Sequence, residues 1–239
     1  MRPMTGKLCS VCGERVPGLY VVTDQTGEAL CGTCRRITPP YECAMAYGSY
    51  DGGLRELVHL LKYERVRPAA NVLGRMLAEV IANLERGFGN APVLLIPVPL
   101  HSAKQRQREF NQTEIIARAA LKFRPNDRLR LSFQTLERRR ATQSQIGLSS
   151  HQRRENMRGA FAVIHPEEVN GRQVLLVDDV FTTGTTVSEC ARVLRRAGAS
   201  KVWVATVART LKLETQFAQS PVENTPAVEQ VLARMATAG

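Results

Sequence analysis

Aromatic residues are scarce in this chain, at 5% of 239 positions, and histidine occurs only four times. A surface built mainly from stacked aromatic platforms is therefore not expected. No apolar run approaches the ~20 residues that a bilayer requires, so membrane insertion is not expected either. Arg2 and Lys7 stand near the N-terminus, but no apolar segment follows them, and the pattern of a secretory signal is missing. A cytoplasmic address is the expectation that follows. There is no internal repeat, no low-complexity tract, and no Gly-Lys-Thr or Gly-Lys-Ser step of a P-loop. What is present is a hydrophobic fraction of 44%, enough for one α/β core with a small accessory module.

Positive charge, by contrast, is in excess: 33 Lys and Arg against 22 acids, a formal net charge of +11. Such a balance favours anionic partners, either nucleic acid or phosphorylated metabolites. The excess is concentrated between Ser102 and Arg158, which hold 14 of the basic residues and 5 of the acids. A charge run of this kind is often only a solvated face. Here most of it is arginine and it adjoins other functional signals, so an anion-binding role weighs equally.

Three parts are distinguished along the chain. Residues 1–45 hold five of the six cysteines and show no helical periodicity. Residues 46–213 alternate helical patterns with short β-branched runs, the mark of an α/β domain. Residues 214–239 form a tail with Ser-Pro and Thr-Pro steps. Apolar spacing at i, i+3 and i+4 predicts helices over 54–62 and 69–84, and another over 110–123. Short apolar runs predict strands at 92–96, 160–164 and 201–207. Gln173 to Asp178 is apolar on both faces, as a central parallel strand requires. A helix over 185–197 follows, stopped by Gly198. Strand, tight loop, helix and strand make one right-handed βαβ unit.

Cys9-Ser-Val-Cys12 and Cys31-Gly-Thr-Cys34 are two C-x-x-C pairs separated by 18 residues. The spacing matches a zinc ribbon, in which two knuckles present four thiolates tetrahedrally to a structural zinc ion. Disulfides are the alternative, which the missing secretory signal disfavours. Cys43 and Cys190 are left over as ordinary thiols, although Cys43 could substitute for a ligand. A ribbon this small buries little apolar surface, so the metal itself should supply its folding energy.

The segment Asp178-Asp179-Val-Phe-Thr-Thr-Gly-Thr-Thr186 is the most informative in the chain. It is expected to leave the strand at Asp178 and enter the helix near Thr185, at the carboxyl end of a parallel strand where open α/β sheets bind ligands. Thr182, Thr183, Thr185 and Thr186 offer hydroxyls, and Gly184 lets the backbone approach an anion. The helix start adds N–H groups and a positive dipole end. Such a loop suits a phosphate monoester. Asp178 and Asp179 would repel that phosphate and must face another part of the ligand, such as vicinal ribose hydroxyls, directly or through magnesium.

These residues resemble the signature of type I phosphoribosyltransferases, which bind phosphoribosyl diphosphate (PRPP). Pro97-Val-Pro-Leu-His101, Arg106, Arg108-Glu-Phe-Asn-Gln112, Arg140, Thr142, Gln145, Leu148, Asn156 and Gly159-Ala-Phe161 narrow the resemblance to the competence-associated ComF family, with Leu61-Lys-Tyr63 upstream. The resemblance covers roughly residues 8–210. It implies an α/β fold, a type I phosphoribosyltransferase-like parallel sheet flanked by helices with a small N-terminal zinc ribbon. It implies that Asp178 and Asp179 hold the ribose hydroxyls and Thr182 to Thr186 the ribose phosphate. Pro99, His101, Arg106 and Arg108 would lie near the diphosphate, with magnesium accompanying PRPP. Arg138 to Gly159, including Arg140 and Gln145, would correspond to a loop that closes over the ligand. One departure is Glu109, where the family usually has glycine; the extra carboxylate either weakens diphosphate binding or points to solvent. His101 could contact the diphosphate or be merely structural.

Position 182 is where some phosphoribosyltransferases carry an Asp base, and here it is threonine. No catalytic residue is assigned, and PRPP binding is better supported than turnover. The function that the resemblance implies is handling of internalised single-stranded DNA during natural transformation, beside a helicase, with PRPP as ligand or regulator. The alternative is an active phosphoribosyltransferase of nucleotide metabolism with an unknown acceptor.

Overall fold

The computed structural model describes residue 4 and residues 6–16, 27–141 and 149–211. In chain order the elements are α1 (Gly32–Arg36), β1 (Cys43–Ser49), α2 (Gly52–Tyr63), α3 (Ala69–Leu84), β2 (Val93–Pro97), α4 (Ser102–Arg108) and α5 (Gln112–Phe123). There follow β3 (Leu129–Leu131), β4 (Leu136–Arg138), α6 (Ser150–Met157), β5 (Phe161–Val163), α7 (Pro166–Val169), β6 (Gln173–Phe181), α8 (Thr185–Arg196) and β7 (Lys201–Arg209).

Five strands form one parallel sheet in the order β1-β7-β6-β2-β3. Alternate residues of its central strands serve opposite faces. Leu175 and Val177 of β6 pack with Leu95, Ala205 and the buried sides of α2, α3 and α5. Val174 and Leu176 pack with Leu94, Ile96, Val204, α8 and the cysteine segment. This two-sided burial is why β6 reads as continuously apolar, and it places the sheet in the middle layer. Helix α3 forms over the predicted residues because Leu73, Leu77, Ile81 and Leu84 recur on one face, all buried. Each such side chain contributes roughly 1.5–3 kcal/mol by leaving water.

The structure changes several expected boundaries. Strand β6 runs three residues past Asp178, because Val180 and Phe181 keep their register opposite Ala208 and Arg209 of β7. Both aspartates therefore stand on the strand, and the connecting loop contracts to Thr182–Gly184. The helix expected from 110 starts at Gln112, where Asn111 accepts from the Thr113 N–H at 3.2 Å and so caps it. A separate short helix, α4, precedes it. The strand expected at 160–164 is β5, which lies outside the main sheet and pairs antiparallel with β4. Strand β1 begins within the cysteine-rich part and crosses residue 45, where that part was expected to end. Thr142, Gln145, Leu148 and the tail from 214 lie outside the described residues.

Candidate functional site

The end of β6 holds its two carboxylates in contrasting environments. Asp179 is buried, and its Oδ2 receives both Lys62 Nζ of α2 at 2.8 Å and Gln112 Nε2 of α5 at 2.8 Å. Burial alone would raise the Asp179 pKa, but the Lys62 charge and these hydrogen bonds outweigh it and hold the carboxyl below its ordinary value. Burial would likewise lower Lys62, and the Asp179 charge raises it instead. The pair is thus fixed in its ionised form.

Asp178 points to the opposite face of the strand and is half-buried; its Oδ1 accepts from the Asp179 N–H at 2.9 Å. Burial, and after it the Asp179 charge, push Asp178 up to about 7. Two adjacent carboxylates are thereby separated in role. One is a permanent anion bound into the fold, and the other exchanges its proton near neutrality.

A cavity of about 490 Å³ opens above this pair. Of the residues singled out in the sequence, Pro99, Asp178, Asp179, Thr182 and Thr186 line it, joined by Lys62, Lys104 and Arg138. Arg138 lies 5.4 Å above the Phe161 ring, which fixes the guanidinium at the cavity wall. A second and larger cavity, about 880 Å³, lies on the other side of the same loop and is lined by Thr182, Thr183 and Thr185. Thr183 and Thr185 join their hydroxyls at 2.8 Å. Gly184 between them has φ +74°, and a Cβ there would stand 2.5 Å from Phe181 Cζ. Glycine is what lets the turn lie directly on that ring.

Other predicted residues are placed elsewhere. His101, Arg106, Arg108 and Arg140 line neither cavity. His101 Nδ1 accepts from the Ala103 N–H at 3.3 Å as the cap of α4. Arg108 stacks 5.3 Å over Tyr63. Arg140 donates to the carbonyls of Asn156, at 2.8 Å, and Arg158, at 2.9 Å, which ties the two ends of its segment together. Gln145 lies outside the described residues. Glu109 turns away from the cavity and pairs with Arg65 at 2.8 Å. Both residues hold positive φ, 67° for Glu109 and 58° for Arg65. Lys62 and Lys104 were not singled out as site residues, and Arg138 was named only as the first residue of the loop expected to close over the ligand. Lys62 stood within a matched motif, and the basic segment 102–158 contained the other two.

Residues Cys9, Cys12, Cys31 and Cys34 form a buried cluster whose sulfur atoms all lie within 4.8 Å of one another. Cys12 and Cys31 Sγ are 3.6 Å apart, close to the ~3.8 Å that a tetrahedral set of Zn–S bonds would impose. The donor set therefore fits a structural zinc ion. Contacts with Cys12 and Cys9 push the Cys34 thiol far up, while those with Cys12 and Cys34 pull Cys9 far down. Four thiols so placed release their protons when a divalent ion takes their place. Cys43 stays outside the cluster, its thiol pushed up to about 11 by burial.

Arg209, at the end of β7, joins this centre to the Thr182–Gly184 loop. Its guanidinium donates to the Cys12 carbonyl at 2.5 Å, to Glu14 Oε2 at 2.9 Å and towards Cys12 Sγ at 3.8 Å. The same group lies 4.4 Å over the ring of Phe181, on which Gly184 rests. Such N–H donors are the outer partners that a metal-bound thiolate requires.

A model of the phosphoribosyl transferase domain matches residues 128–229. DNA utilization protein YhgH of Salmonella typhimurium is 34% identical over 211 residues, covering 85% of this chain and 91% of that protein. Competence protein F of Haemophilus influenzae is 29% identical over 210 residues, covering 84% and 90%. Competence protein ComFC of Bacillus subtilis is 20% identical over 204 residues, covering 83% and 75%.

Proposed function

Since the chain belongs to the ComF family of phosphoribosyltransferase-like proteins, we propose that it binds PRPP or a related ribose phosphate in the cytoplasm and handles internalised single-stranded DNA during natural transformation. The carrying observation is the divided carboxylate pair followed at once by Thr182–Gly184 and the start of α8. In this reading Asp178 meets the ribose hydroxyls, while Asp179 holds Lys62 and Gln112 in place beneath them. The loop hydroxyls and the N–H groups opening α8 receive the ribose phosphate. Lys104 and Arg138 face the diphosphate, Arg106 and Arg108, on the helix that contributes Lys104, add to the positive field at the mouth, and His101 caps that helix beside the diphosphate. Magnesium bound with the ligand would neutralise diphosphate charge. Zinc would hold the ribbon.

The competence and DNA-utilization names of the relatives support the DNA role, as does the basic segment Ser102–Arg158. Phosphate contacts by arginine make such binding steeply salt-dependent, and a helicase is a fitting partner for a protein that receives a single strand. No residue at position 182 can act as a base, which favours binding over transfer. The test is phosphorus NMR of PRPP and magnesium with zinc-loaded protein, with and without single-stranded DNA. Shifted or broadened PRPP signals without diphosphate release, lost in Asp178→Asn, are expected. Diphosphate release above the protein-free rate would make the chain a transferase. Unperturbed signals would remove the ribose-phosphate site.

A further inference from the structure

The larger cavity, about 880 Å³, extends from the loop hydroxyls of Thr182, Thr183 and Thr185 to the cysteine segment, on the side of the loop away from the carboxylate pair. Its volume is that of a small-molecule site. One wall is the ribbon segment 37–41, whose Ile37 is 56% exposed and whose Tyr41 is buried. The opposite wall is α6, with Arg153 and Arg154. Thr183, Thr185 and Ser188 supply hydroxyls between them. Five arginines and three glutamates line the space, and each glutamate pairs with an arginine: Glu14 with Arg209, Glu155 with Arg158, Glu189 with Arg192. Arg153 and Arg154 of α6 thus stand across the space from the apolar ribbon segment, which suits an aromatic ring carried on an anionic backbone.

Continuity with the phosphate loop decides what that ligand is. Thr182 lines both cavities, Thr186 only the smaller and Thr183 and Thr185 only the larger. A phosphate on this loop therefore has the carboxylate pocket on one side and the ribbon-side cavity on the other. A monoester fills one side; a diester fills both. Resting on the ribose-phosphate reading, we propose that the loop receives a phosphodiester and that the site takes the 3′-terminal nucleotide of a single strand. The last sugar lies over Asp178 with its hydroxyl free, its 5′-phosphate lies on Thr182–Thr186, and the preceding nucleoside occupies the ribbon-side cavity. The polarity follows from Asp178, whose carboxylate accepts from a hydroxyl and repels a phosphate at that position, while Asp179 is occupied by Lys62 and Gln112.

Fluorescence anisotropy with a short 5′-labelled single-stranded oligodeoxynucleotide tests this. The strand ending in a 3′-hydroxyl should bind at least about tenfold more tightly than the same strand ending in a 3′-phosphate or closed into a circle. PRPP with magnesium should displace it. Ser188→Trp, which fills the larger cavity, should weaken the strand about tenfold and leave PRPP affinity within about twofold. Arg154→Glu, on the exposed side of α6, should do the same without touching the core. Equal binding of the three strand ends, no displacement by PRPP, or unchanged strand affinity in both variants would overturn the inference. Failure of PRPP to bind the parent protein would instead remove the ribose-phosphate reading on which it rests.

Discussion

Replacing Gly184 by alanine should disrupt the Thr182–Gly184 loop, and with it the proposed phosphate site, through a contact that can be sized in advance. The residue has φ +74°, where an L-side chain costs about 1 kcal/mol relative to glycine. The new Cβ would also stand 2.5 Å from Phe181 Cζ and 3.0 Å from Cε1. That ring cannot retreat readily. It is only 4% exposed, and the Arg209 guanidinium lies 4.4 Å from it, itself held by Cys12 and Glu14. Overpacking of this kind costs about 1–3 kcal/mol more. The total, about 2–4 kcal/mol, corresponds to roughly 5–15 °C in melting temperature for a domain of this size. Gly171→Ala is the matched control: its φ is +73° and nothing lies within 4 Å of the added Cβ. It should lose only the backbone share, about 2–4 °C. Thermal unfolding of both variants followed by circular dichroism, with magnesium–PRPP titration of each, separates the two effects. Equal losses in the two would refute the buttressing of the loop by Phe181.

Three further outcomes are expected. Asp178 titrates near 7, and a cation-bearing ligand selects its ionised form. Affinity for magnesium–PRPP should therefore rise about tenfold from pH 6 to 8 and level off above, once the ligand's own titration, followed by phosphorus NMR without protein, is divided out. The sign for the free protein is opposite: a raised carboxyl favours the fold below its ordinary value near 4 and loses that contribution as pH climbs towards 7. Glu109→Gly exchanges an exposed ion pair worth about 0.2–1 kcal/mol for relief of about 1 kcal/mol at a left-handed position, so a melting temperature unchanged or raised by up to about 3 °C is expected. A fall in melting temperature would mean that the Arg65 pair outweighs the backbone. Metal analysis should find one zinc per chain, and cobalt substitution should give the absorption of a tetrahedral thiolate site; Cys9→Ser should diminish both.

Much of this arrangement is legible in the residues. Helix α3 carries a clean apolar stripe, and β6 carries an apolar run served by both faces of the sheet, so periodicity identifies them without tertiary help. The extension of β6 through Asp178 and Asp179 is not legible in that way. Adjacent acids disfavour strand in isolation, and here Lys62 neutralises one of them and Gln112, 67 positions away, donates a hydrogen bond to it, both from other elements. Strand β1, Cys-Ala-Met-Ala-Tyr-Gly-Ser, is built from small residues and looks like the end of the ribbon. Helix α6 has no apolar stripe at all and is started by the reciprocal cap of Ser149 and Gln152. The four-cysteine cluster follows from spacing alone, whereas the bond from Arg209 to Cys12 joins residues 197 positions apart and could come only from the fold.

Strand β1 gives the ribbon a duty apart from any ligand. It is an outer strand of the sheet, and its free side is met by ribbon backbone: Ala44 N–H donates to the Val11 carbonyl at 2.7 Å, and Met4 N–H donates to the Tyr47 carbonyl at 2.9 Å. The opposite edge needs no such guard, because β3 is only three residues long. If zinc holds the ribbon, as proposed, its removal would loosen more than a peripheral knuckle: it would bare a seven-residue template for strand addition, and stripped chains should be lost to edge-to-edge assembly before their sheet unfolds.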